Sequence, residues 1–83
     1  MIRQEKRRLT REYQKEIDKL IKSSDAVYKK NRDLHELMED YIDALKKKEC
    51  ANKKLQAYYD FMEATSQRIF LLNYKIKEIN GTK

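Results

Sequence analysis

Apolar and aromatic side chains recur every seven residues along the chain, first as Tyr13, Leu20, Val27, Leu34 and Tyr41, then as Leu55, Met62, Ile69 and Ile76. A second row flanks the first at helical spacing. It lies three residues before each member in the first half (Ile17, Ser24, Asn31, Met38) and three residues after in the second (Tyr58, Thr65, Leu72, Ile79). Two rows of this kind read as amphipathic helix in both halves. The flank changes sides between residues 44 and 55, in the stretch ALKKKECANKKL. A straight two-row seam keeps its hand unless a stutter intervenes, whereas a chain that doubles back mirrors the order of its rows.

The pattern therefore predicts an all-α antiparallel helical hairpin. Folded about Lys48, it pairs Leu45 with Ala51, Tyr41 with Leu55, Met38 with Tyr58, Leu34 with Met62, Val27 with Ile69, Ser24 with Leu72, Leu20 with Ile76 and Ile17 with Ile79. The two position numbers in every pair add to the same total, as antiparallel layers require. The polar Asn31 falls opposite Thr65, a layer that could fix register as polar core residues do in coiled coils. The predicted division is a basic helical extension over 1–12, a first helix over 13–45, a turn over 46–50, a second helix over 51–79 and a tail over 80–83. Asn80-Gly81 reads as the helix stop, with Gly81 in the left-handed conformation.

Two other arrangements fit the same rows. One is a long continuous coiled coil, which the lack of Gly and Pro in the turn favours. The other is a three-helix bundle broken at Lys22-Ser23-Ser24-Asp25, where Ser and Asp supply N-caps. Two helices leave apolar residues over: Ile21, Tyr28, Ile42, Phe61, Phe70, Leu71 and Tyr74 lie outside the layers. Stripes this wide suit a bundle core, so the hairpin is expected to dimerise into a four-helix bundle. Tyr28, Ile42, Tyr59, Phe61, Phe70 and Tyr74 are the candidate protein-interaction residues. In the run Tyr58-Tyr59-Asp60-Phe61-Met62, adjacent positions cannot all face one core, which leaves Tyr59 or Phe61 for contact outside the seam.

Composition narrows the class. The 83 residues allow one small domain, with 41% charged and 40% hydrophobic residues, one Gly and no Pro. That balance is one of long helices rather than disorder or a β fold. A core this small benefits from a staple or a partner. The single Cys50 cannot form an internal disulfide, and with the single His35 it gives no zinc spacing. No apolar run approaches the roughly 18 residues of a membrane span, and the first residues, MIRQEKRRLTRE, carry no apolar signal core. A reducing, cytoplasmic setting is the expectation for the lone thiol. The richness in Lys, Ile, Asn and Tyr suits an AT-rich bacterial or phage genome.

Charge is segregated. Residues 1–32 carry eleven Lys/Arg against five Asp/Glu, residues 33–63 five against eight, and residues 64–83 four against one. Folding back brings the two basic segments together at the open end. Arg3, Lys6, Arg7, Arg8 and Arg11 are the candidate polyanion-binding residues, on the ground that Lys and Arg neutralise phosphates. The competing reading is a solvated helix face satisfied by i,i+4 pairs such as Arg8 with Glu12. No glycine-rich phosphate loop, catalytic constellation or metal motif is present, Cys50 has no base near it in sequence, and the acids Glu39, Asp40 and Asp43 match no metal-loop pattern. The expected activity is therefore non-enzymatic, with no cofactor and no small-molecule substrate. The sequence predicts a protein-binding regulator that docks on a partner; a nucleic-acid-binding regulator and a structural coiled-coil subunit are the alternatives.

Overall fold

In a computed structural model describing residues 2–81, the chain is an antiparallel helical hairpin. Helix α1 spans Arg3–Lys30, α2 spans Arg32–Met38, a 3-10 turn occupies Glu39–Tyr41, α3 spans Ile42–Lys46 and α4 spans Lys53–Gly81. Among the described residues there is no strand. Helices α1 and α4 pack along each other as a stem, and α2, the 3-10 turn and α3 fold against the start of α4 as a head. The molecule measures 51 × 24 × 15 Å, less than half the length of about 120 Å that the described residues would reach as one continuous helix.

The reversal occupies residues 47–52, one to two residues later than the sequence pattern places it. Its chemistry explains how a turn forms without glycine. Lys48 takes the left-handed conformation itself, with φ 59°. Its N–H donates to Leu45 O at 3.1 Å, and the Glu49 N–H donates to Ala44 O at 2.8 Å. This pair of bonds is a Schellman ending, which satisfies carbonyls that the end of α3 would otherwise orphan. On the far side Asn52 caps α4: its Oδ1 accepts the Leu55 N–H at 3.1 Å, and the Gln56 N–H reaches Asn52 O at 3.0 Å. Lys53–Gly81 then runs unbroken. Gly81 belongs to that helix with a negative φ, so the expected left-handed stop is absent there. Thr82 and Lys83, the rest of the predicted tail, lie outside the described residues.

The first arm departs from one long helix. It is continuous through Lys22-Ser23-Ser24-Asp25, where a break was one alternative; Ser24 turns its hydroxyl back to Ile21 O at 3.0 Å. The break comes instead at Asn31, whose φ of −129° and ψ of 39° leave the helical region. Its Nδ2 donates to Val27 O at 2.8 Å, so the amide closes its own helix rather than crossing to Thr65. A second interruption follows at Glu39–Tyr41, where Tyr41 leaves helical geometry at φ −118°.

These interruptions change the register. Gln56 bridges to Leu45 O near the turn, and Asn80 bridges to Thr10 near the open end. Between those bridges the first arm runs from position 45 back to 10, the second only from 56 to 80. The broken arm thus uses more residues over the same span, because part of its path runs across the hairpin axis instead of along it. The constant-total layers fail accordingly. Ala51 is exposed and Tyr41 is 49% exposed, while Leu45 and Leu55 are both fully buried. Leu45, Leu55 and Tyr59 form the centre of the head, with Leu34, Leu37, Met38, Ile42 and Cys50 packed around them. In the stem, Ile17, Thr65 and Leu72 are buried.

Candidate functional site

Three places in the fold gather chemistry: the head, the outer side of α4 and the basic flank of α1.

In the head, His35 on α2 lies between two tyrosines. Its Nδ1 is 2.9 Å from the Tyr58 hydroxyl of α4, and its ring stands edge-on to Tyr28 of α1 at 4.7 Å. One imidazole therefore ties three helices together. Burial, and secondarily the neighbouring Tyr28, hold the Tyr58 hydroxyl above its ordinary pKa, and the His35 tautomer sets which of the two groups donates. On the adjacent position, Tyr59 donates to Glu63 Oε2 at 2.6 Å; that bond, then burial and the charges of Glu63 and Asp60, raise its pKa too. Gln56 links the head to α4 through Nε2, which donates to Leu45 O and to Asp60 Oδ1, each at 3.0 Å. Its Oε1 is left buried without a hydrogen-bond partner.

These contacts reassign several predicted interaction residues. Tyr59 is buried in the head, Ile42 packs against the same cluster, and Tyr28 is part-buried against His35. All three contribute to the packing of the hairpin itself. Adjacent Tyr58 and Tyr59 can both be buried because the head wraps α4 on two sides. Cys50, at the end of the predicted turn, is part-buried beside that core. A half-open crevice of about 400 Å³ next to it is lined by Leu37, Tyr41, Ala44, Cys50, Ala51 and Leu55 among others.

The outer side of α4 carries the remaining candidates. Phe70 is 73% exposed, Tyr74 53% and Leu71 42%, with Phe61 at the margin at 36%. Positions 70, 71 and 74 share one side of a helix at 100° per residue. It is the side opposite Thr65 and Leu72, which are buried in the hairpin. A signal for this was present in the sequence, since Phe70, Leu71 and Tyr74 all fall outside the two apolar rows.

At the open end Arg3, Arg7, Arg8 and Arg11 are exposed on α1, while Lys6 is part-buried. Lys6 O accepts the Thr10 hydroxyl at 2.7 Å, and Asn80 Nδ2 donates to Thr10 Oγ1 at 2.8 Å and to Ile76 O at 3.1 Å. The anticipated pairing of Arg8 with Glu12 does not form: the described ion pairs are Lys29 with Asp25 and Arg68 with Glu16. The second crosses the hairpin with Nε to Oε2 at 2.8 Å, and Arg68 holds the Glu16 carboxyl below its ordinary pKa. Lys75 sits over the Tyr13 ring at 5.7 Å. Among the described residues no three His, Cys, Asp or Glu side chains gather as metal ligands, and no helix is long and apolar enough to cross a membrane.

Comparison with family models, with curated proteins and with solved structures finds no match in any of the three.

Proposed function

We propose that this chain is a non-enzymatic protein-binding module that regulates a partner by covering its surface, and that the outer side of α4 is the contact surface. The observation that carries the reading is the exposed Phe70–Leu71–Tyr74 patch, directed away from the hairpin's own core. Large aromatics left in water on a regular, rigid helix lose the burial energy available to them, and clustered exposed apolar groups of this kind mark interfaces.

A second copy of the chain fits the patch. Glu63 and Lys77 lie seven residues on either side of Phe70, on the same side of α4 by helical geometry. Antiparallel pairing of two α4 helices about the aromatics sets Glu63 of each copy toward Lys77 of the other; parallel pairing sets like charge against like. The fold buries few large side chains on its own, and a small core gains from such an interface.

Sedimentation of the full chain across a concentration series tests the reading. A reversible dimer is expected, converted to monomer by Phe70→Glu with helix content unchanged. Glu63→Lys or Lys77→Glu alone should weaken the dimer at least several-fold, and the double exchange should restore it. A monomer at all concentrations, together with no discrete adduct from a photo-crosslinker at position 70 in a cell extract, would overturn the proposal.

A further inference from the structure

The exposed flank of α1 carries a second, independent surface. Arg3, Arg7, Arg11 and Lys15 recur every four residues and all are exposed. Four residues advance a helix by about 6 Å and turn it by about 40°, so these cations form one shallowly winding stripe about 18 Å long. Glu5 falls round the helix from Arg3 and Arg7, while Glu12 borders the stripe about 60° from Lys15. Asp18, near its far end, already accepts the Gln14 amide at 3.2 Å, and Asp25 is paired with Lys29. No stripe residue belongs to an ion pair among the described residues.

The helix itself gains nothing from this placement. It starts at Ile2 with no side-chain cap, and Arg3 opens the first turn. Cations at the positive end of a helix dipole oppose helix formation. At the mouth of the stem, Arg7 and Arg11 flank a groove with Thr10 and Asn80. The Thr10 hydroxyl and the Asn80 amide hydrogens are already directed to acceptors within the hairpin. They make a fixed floor and leave the two guanidinium forks to the ligand. Planar forks at regular spacing match phosphate oxygens.

We infer that this stripe binds the phosphodiester backbone of double-stranded nucleic acid without reading its sequence. Backbone contact needs only spaced cations, which the stripe supplies. Single-strand binding would add aromatic platforms among the cations; the stripe has none, and the exposed Phe70 and Tyr74 are on the other helix.

Fluorescence anisotropy of the full chain with a labelled duplex of about 20 base pairs tests this, from about 50 to 300 mM salt. Single-stranded DNA of the same length, polyglutamate and phosphatidylserine vesicles are the comparison probes. The expected result is duplex binding at low salt, equal for unrelated sequences, with a log–log salt slope of about −3 to −4 for four neutralised phosphates. The pair Arg7→Gln with Arg11→Gln should reduce affinity at least tenfold and make the slope shallower by about 2. Lys53→Gln with Lys54→Gln, an equal charge change on exposed lysines at the turn end of the molecule, should reduce it by less than about threefold. Helix content by circular dichroism checks that each variant is folded. No duplex binding at 50 mM salt would overturn the inference. So would equal losses from the two variant pairs, or binding of the single strand, polyglutamate or the vesicles as tight as that of the duplex.

Discussion

Head and stem solve the same problem, covering the apolar side of α4, in different ways. The head interrupts its helix at Asn31 and again at Glu39–Tyr41. In exchange it brings Leu45, Leu55 and Tyr59 into one cluster surrounded by five partly buried neighbours. The stem keeps α1 and α4 regular and buries a single seam, with its cross-links at the surface: Arg68 with Glu16, Lys75 over Tyr13, Asn80 with Thr10. Packing on two sides of α4 secures the head. Packing on one side leaves the stem with a free aromatic side on α4 and a free cationic flank on α1. The irregular part buries Leu45, Leu55, Tyr58 and Tyr59, and the regular part presents surfaces.

The sharpest way to break that contrast is a matched pair of core truncations. Leu45 and Leu72 are both fully buried. Leu45→Ala, in a cluster that cannot close over the gap, should cost about 4 kcal/mol, and Leu72→Ala, in a two-helix seam free to collapse, about 2.5 kcal/mol. Urea unfolding measures both, and equal losses would remove the distinction. Next in size, Tyr58→Phe removes the hydroxyl that reaches His35 and should cost about 1 kcal/mol. Lys48→Gly should act in the opposite direction. It relieves a left-handed lysine and should stabilise by about 1 kcal/mol; a loss would mean that Lys48 does not hold the turn in solution.

The pH dependence separates the regions further. Tyr58 and Tyr59 have raised pKa values in the folded chain. Their hydroxyls keep protons that the unfolded chain releases, so the stability they add is present below about pH 10 and is lost as pH climbs through the folded values. Glu16 has a lowered pKa. Its contribution is present above the ordinary carboxylate range and is lost as pH falls through its folded value. Thermal melts should show an alkaline loss that Tyr58→Phe diminishes. The smallest effect should be Arg68→Ala in the stem, which removes a solvent-exposed pair screened by water and should leave the urea midpoint unchanged within error.

Much of this architecture was legible in the periodicity. The switch in the flanking row placed the reversal between residues 44 and 55, and the turn over 47–52, with Lys48 left-handed, lies within that stretch. The breaks at Asn31 and Tyr41 were not legible, since neither carries Pro or Gly and the seven-residue spacing continues through both. At Asn31 the side-chain amide bonds Val27 O, and past both breaks the chain packs against the start of α4, an interaction between distant segments that local propensity does not encode. The same cause hid the role of Tyr59. Tyr58 and Tyr59 stand about 100° apart on either side of Leu55, and the head covers all three. Phe70, Leu71 and Tyr74, by contrast, stood outside the rows in the sequence and remain outside the core in the fold.

The central claim is that the chain doubles back and packs α1 along α4, with Thr10 beside Asn80. Spin labels on cysteines replacing Gln14 and Lys77, with Cys50→Ser and dilution into unlabelled chain, measure it directly. The hairpin, only 24 Å across its second dimension, predicts a single narrow distance distribution centred below about 30 Å once label length is included. A continuous helix would place the same labels about 95 Å apart, and a signal of that length would contradict the fold.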